Sequence, residues 1–406
     1  MRRLAAMCSA LGTLLIASAG LAPGAAAEDI QSKQWYLNSM GADEIWKYST
    51  GKGVKVAVID SGVNPATSTL KGQVLVNQVP KSVAYKAAED NDGHGTGMAE
   101  IIAGTGAGGG VKGLAPGAKI IPYHVQQTTD RKDDDGKFAS LADVIRAAAD
   151  TDVKIINMSF GGPYPDSTEE DAIKYAASKG KLMFASIGND GEKGKAEYPA
   201  VYPYVVGVSA IDKSGTVAKF STKSNYVDFA APGVSVPGWC DGKFTEYCDT
   251  DGTSPATALA SASAALVWSV HPDWTANQVL RTLLDTAGRS WPKDKPSTYL
   301  GYGAIRPRRV LINKNIDPGP ANRDPLYAEN GTDPNEDVTA TPSLSVAPSS
   351  GATAKDSGST SGATSAAAKD SGSGSNTTTW VIIGAVAAVL VIGGAGFGVL
   401  RARRNA

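Results

Sequence analysis

The sequence predicts an α/β domain: a central, mostly parallel sheet with helices on both faces. Three observations carry this. Short apolar runs alternate with helical patterns from about residue 54 to residue 286, the run at 54–59 is continuously apolar and β-branched, and about 29–316 is long enough for one sizeable domain. The run at 54–59 reads as a strand buried on both faces, and 95–103 as a helix. A strand over 119–125 precedes a helix over 141–149, whose apolar residues recur at helical spacing. The alternation continues with a strand at 154–158, a helix at 169–178, and strands at 182–186 and 204–210. A helix of small residues at 256–270 and an amphipathic one at 277–286 close the series.

The two ends set the expected compartment. Arg2 and Arg3 precede an apolar stretch at 11–21, and Ala25-Ala26-Ala27 stands before Glu28. This is the pattern of a secretory signal peptide over 1–27, too short and too broken by Gly20 and Pro23 for a spanning helix. From 317 to 379 the chain turns rich in Pro, then in Ser, Gly, Thr and Ala, a composition that cannot offset the entropy of ordering. It is expected to be a disordered stalk between a folded domain at 28–316 and the membrane. The stretch 380–400 carries no charge, and about 21 residues at 1.5 Å each span a bilayer core. Arg401, Arg403 and Arg404 then mark a cytoplasmic tail at 401–406. The expectation is a single-pass cell-membrane protein whose folded domain lies outside the cell.

A formal net charge of −1 and the lack of a basic face argue against nucleic acid as a partner. Beyond the signal peptide only Cys240 and Cys248 remain, and in an exported chain such a close pair reads as a disulfide. Asp130, Asp133, Asp134 and Asp135 read as a solvated turn, since their spacing fits no calcium loop; no metal and no cofactor is expected.

Functional groups in parallel sheets gather at the carboxyl ends of strands. Asp60 ends the first run, His94 lies between glycines at the start of a helix, and Ser254 opens the small-residue helix. Taken singly, these are a turn aspartate, a capping histidine and an N-cap serine. A helix N-terminus favours a neutral imidazole, as a general base requires, and favours negative charge on an attacked carbonyl oxygen. Pro255 has no N–H and suits the first helical position, so the donors for that oxygen would be the Ser254 N–H and the side chain of Asn189, which follows a predicted strand.

Together the groups follow the order Asp, His, Ser of subtilisin. Val56-Ala57-Val58-Ile59-Asp60-Ser61-Gly62, Gly93-His94-Gly95-Thr96 and Gly252-Thr253-Ser254 with Ala256 resemble the three catalytic motifs of the subtilases, and Gly188-Asn189 resembles their oxyanion segment. The resemblance runs from about residue 35 to 310. It implies the subtilisin-like three-layer fold and an Asp60–His94–Ser254 triad with Asn189 as oxyanion donor. It also implies a cleft lined by Ser159, Phe160, Gly161 and Gly188, and a protein or peptide substrate. With its leader, stalk and terminal helix the chain is most similar to the mycosins, membrane-anchored proteases associated with type VII secretion, which implies a membrane secretion complex as partner. The alternative is a structural cap or brace of that complex, with proteolysis secondary. Gly97, Pro255 and Ala258 depart from the family pattern beside the site. The segment before Trp35 is short for a folded inhibitory propeptide, so autoprocessing is not expected. His124 is expected to be structural.

Overall fold

Strand and helix alternate as the apolar runs require, and a computed structural model describes residues 30–126 and 136–331. The predicted leader, the aspartates at 130 and 133–135, and 332–406 with the predicted membrane stretch lie outside the described residues. All described residues belong to the unit Met1–Leu344, one of two into which the chain divides. No helix among them is long and apolar enough to cross a membrane.

Three short helical segments, α1 (Ile30–Lys33), α2 (Trp35–Met40) and α3 (Ala42–Ile45), lead into β1 (Lys55–Asp60). There follow α4 (His94–Ala103), β2 (Lys119–His124), α5 (Leu141–Ala149), β3 (Ile155–Met158), α6 (Ser167–Ser178), β4 (Leu182–Ser186) and β5 (Val205–Ile211). Next come β6 (Phe229–Pro232) and a ribbon of β7 (Val236–Trp239) and β8 (Tyr247–Thr250). The described chain ends with α7 (Thr253–Val270), α8 (Ala276–Thr286), α9 (Pro307–Leu311) and α10 (Tyr327–Asn330).

β1 to β6 form one parallel sheet in the order β2-β1-β3-β4-β5-β6. Successive residues of β1 serve opposite cores. Val56 and Val58 pack with α4, α7 and α8, whereas Ala57 and Ile59 pack with α5 and α6. Two dry faces explain why the strand is apolar at every position. Pro122 is tolerated in β2 because that strand lies at the sheet's edge, where a missing ladder N–H costs least. The order reverses at β1, which is flanked by β2 and β3, and the crevice beyond the carboxyl ends of β1 and β3 is where this topology collects functional groups.

α7 is the buried axis of one helical layer. Ala256, Ala258, Ala260, Ala262, Ala264 and Ala265 are fully buried, and their small side chains let the helix lie close on the sheet. The helix begins at Thr253 with Gly252 as its N-cap, so Pro255 is its third residue rather than its first. The missing N–H is harmless there, because the whole first turn lacks intrahelical acceptors.

The chain also stays folded beyond the predicted boundary at 317. The Arg281 guanidinium donates to the carbonyls of Pro318 (3.1 Å), Pro320 (2.7 Å) and Arg323 (2.6 Å). Leu326 is buried, and the Asn330 Oδ1 accepts from the Tyr204 N–H at 3.1 Å. Residues 317–331 are thus a strap on the domain, held by backbone carbonyls that composition does not reveal.

Candidate active site

Asp60 is the last residue of β1 and is almost fully buried; one carboxylate oxygen, Oδ1, accepts from the Ser61 N–H at 2.8 Å and contacts His94 Nδ1 at 2.7 Å. His94 is the first residue of α4. Gly95 permits the approach, since a Cβ there would lie 2.2 Å from the Gly62 carbonyl oxygen and 3.0 Å from the Asp60 Cβ. Gly93 turns the chain into the helix with φ +92°, in the left-handed region that favours glycine.

Ser254 stands in the first turn of α7, in the same cleft of about 320 Å³ as His94 and Asn189. Its hydroxyl donates to the Ser159 carbonyl at 2.6 Å rather than to the histidine. Asn189, beyond the end of β4, accepts through Oδ1 from the Thr253 N–H (2.9 Å) and hydroxyl (3.1 Å). Ser159, Phe160 and Gly161 continue directly from β3, and Gly188 lies just beyond β4. Five segments distant in sequence therefore meet at the carboxyl edge of the sheet.

The Subtilase family, Peptidase S8, matches residues 51–303, more than half of the 406-residue chain. The chain belongs to the subtilase family. It is 34% identical to Subtilisin E of Bacillus subtilis (strain 168) over 255 residues, 62% of this chain and 62% of that relative's length. Among solved structures it is similar to MycP1, an essential component of the type VII (ESX-1) secretion system, at TM-score 0.56 and 27% identity over 70% of this chain and 90% of that one. It is likewise similar to the MycP3 protease from the type VII (ESX-3) secretion system, at TM-score 0.55 and 26% identity over 68% of this chain and 88% of that one.

In this subtilase the charge on His94 departs from the helix-dipole expectation. Burial disfavours the imidazolium, but the adjacent Asp60, reinforced by Asp92 and Asp90, outweighs burial and pushes the ring up to about 9. A full carboxylate in contact exceeds the half-charge of a helix terminus. The second Asp60 oxygen is buried without a hydrogen-bond partner, so no donor diverts its charge from the histidine.

Several supporting residues escaped the sequence reading. Asp90 is a buried hub: one oxygen accepts from the Ser61 hydroxyl (2.9 Å) and the Gly93 N–H (2.8 Å), the other from the Thr96 N–H (2.9 Å) and hydroxyl (2.6 Å). The Ser61 hydroxyl accepts in turn from the Gly95 N–H at 3.0 Å, tying the end of β1 to the start of α4. On the other wall, buried Asn157 accepts from Ser261 (2.9 Å) and donates to the Ser159 hydroxyl (3.0 Å), which donates to the Ser254 carbonyl (3.1 Å). The signal available in sequence was a lone Asn inside an apolar strand, which calls for a buried partner.

The β7–β8 ribbon supplies the remaining wall through Gly238, Trp239 and Cys240. Cys240 and Cys248 form a disulfide across it, and Trp239 stacks on Tyr247 at 3.8 Å. Closing so short a loop contributes about 2–3 kcal/mol in the chain-entropy model. Gly97 faces open space, with no atom nearer than 4.0 Å to an added Cβ, so this departure from the family pattern widens the cleft. His124 is buried against Phe138, away from the cleft lining. No cluster of metal-ligating side chains occurs among the described residues.

Proposed function

We propose that this subtilase is a serine endopeptidase, anchored in the cell membrane with its catalytic domain outside, acting beside a type VII secretion system. The observation that carries the reading is the 2.7 Å contact of His94 Nδ1 with Asp60 in the cleft shared with Ser254 and Asn189. With Nδ1 donating to Asp60, Nε2 is the nitrogen left to accept a proton. Rotation about the Ser254 Cα–Cβ bond exchanges the Ser159 carbonyl for His94 as the acceptor of its hydroxyl. The serine oxygen then attacks a peptide carbonyl while His94 takes the proton, and Asp60 stabilises the imidazolium.

The developing oxyanion is held by Asn189 and by the Ser254 N–H, which as a first-turn group has no intrahelical partner. Asn189 suits this role because Thr253 holds its Oδ1, leaving Nδ2 to donate. His94 returns the proton to the leaving amine as the C–N bond breaks, and a water molecule releases the acyl group through the same histidine. The charge-free stretch at 380–400 supports the anchor, and the names of MycP1 and MycP3 support the secretion partner.

A fluorophosphonate probe applied to the full chain tests the nucleophile. Labelling of the native protein and none of the Ser254→Ala variant is expected; equal labelling, or none of a folded native chain, refutes an activated Ser254. The second reading, a structural brace, is favoured by the resting geometry, in which the Ser254 hydroxyl is turned from His94. Full secretion in cells by the Ser254→Ala chain would select it.

A further inference from the structure

Besides His94, α4 carries one ionisable group, and the reaction does not use it. Glu100 lies six residues beyond His94 on that helix and is fully buried, in a segment otherwise made of small and apolar residues. Hydroxyls take both of its oxygens: Oε1 accepts from Thr69, and Oε2 from Tyr247 at 3.0 Å. The Trp239 N–H, buried and without a hydrogen-bond partner, lies close enough, with Thr67, to favour charge on Glu100. The titratable groups facing it are Tyr36 from α2 and Tyr247 from β8, and it makes no ion pair among the described residues.

Tyr247 and Trp239 belong to the β7–β8 ribbon, a two-stranded sheet that pairs with no other strand. Such a pair is marginally stable by itself, so its docking depends on its inner face. There Trp239 lies opposite Tyr247 in the register, stacks on it, and packs on the turn that leads into His94. A Cβ on Gly93 would sit 3.2 Å from the Trp239 Cβ. A loose ribbon would therefore free both the cleft wall and the turn before the histidine.

We propose that Glu100 is a positioning residue of the active site: within the helix that carries His94 it anchors the ribbon that walls the cleft, and the proton it holds keeps that wall docked. Burial outweighs the four donors and raises the carboxyl from 4.5 to about 7. A ribbon lifted from α4 would let water reach the carboxylate and return it toward 4.5. The docked ribbon thus binds the proton more tightly than the lifted one, and docking weakens as pH rises from 4.5 through about 7.

Hydrogen exchange of the full chain reads the ribbon without turnover. Corrected for the intrinsic rise of exchange with pH, protection of the backbone amides at 239–248 should fall at least about tenfold between pH 4.5 and 7.5. The limit set by a shift from 4.5 to about 7 is ~300-fold. In Glu100→Gln, uncharged at any pH, protection should stay flat across that range. Flat protection in the native chain, or the same pH dependence in the Gln variant, overturns the proposal.

Only the kinetic arm rests on the endopeptidase reading; it is run at pH 9, near the midpoint of His94. Glu100→Ala leaves Tyr247 and Thr69 without their acceptor and should lose at least about tenfold in kcat/KM, most of which Glu100→Gln should recover. A residue of the core alone would lower stability and leave the rate per folded enzyme unchanged, so a folded Ala variant with native kcat/KM also overturns the proposal. If the Ala variant does not fold, the exchange arm decides. The expected exchange in a chain that fails fluorophosphonate labelling would strike the endopeptidase reading alone.

Discussion

At the scale of residues, the His94–Asp60 contact sets the pH behaviour expected of the site. The ring is raised from 6.5 to about 9, and its neutral form is the one that accepts a proton. Turnover per enzyme, measured as kcat/KM, should therefore climb with pH through about 9. The linkage to stability has the opposite sign: the charged ring stabilises the fold fully below 6.5, and that contribution is lost as pH rises through about 9. Asp92→Asn removes one of the carboxylates holding the ring charged, so the midpoint of the rate profile should move down by roughly half a unit. An unchanged midpoint would assign the titration to another group. For Asn189→Ala, loss of an oxyanion donor predicts a fall in kcat of a hundredfold or more. Urea unfolding should show a smaller change, the cost of leaving the Thr253 N–H and hydroxyl without their shared acceptor. These chemical groups were legible from motif order, whereas the charge on His94 was not. It depends on the contact with Asp60 at the end of β1, with Asp92 and Asp90 adding to it.

At the scale of elements, the proposed nucleophile Ser254 is positioned by the seam between α7 and β3. Asn157 is fully buried there and connects Ser261 to Ser159. Asn157→Ala would leave both hydroxyls short of a partner and open a small void, lowering stability by about 2–3 kcal/mol. It should also reduce kcat more than it raises KM, since Ser159 carries the wall beside Ser254. A loss of stability with kinetics unchanged would make Asn157 a core residue only. The principal helices and the first five strands were legible because burial on two faces writes apolar character at every position. β6, β7 and β8 were missed: each has four residues, and in β6 and β7 Pro or Gly interrupts the pattern. Their existence depends on pairing with another strand rather than on local pattern, as when Phe229 of β6 pairs with Val208 of β5.

At the scale of the whole molecule, the strap at 317–331 decides where the folded body ends. Arg281 is its main tie, with three carbonyl acceptors. Arg281→Ala should lower stability by about 2 kcal/mol and hasten proteolytic cleavage within 317–331, which limited digestion of the full chain would detect. Resistance equal to that of the native chain would show that the other ties, from Thr275, Asn277 and Gln278 to the carbonyls of Ala321 and Gly319 and from Leu326 and Asn330, hold the strap without it. By itself the sequence determined the α/β class and the order of the main elements, and it singled out Asp60, His94, Ser254 and Asn189 as the candidate site. Local spacing and chain order encode these because strand burial and motif chemistry are short-range properties. Only the tertiary structure decided the rest: Asp90 as the hub under His94, the seam through Asn157, and the strap. Each depends on groups that are remote in sequence: the sheet brings strand ends together around His94 and Asn157, and α8 carries Arg281 to the strap.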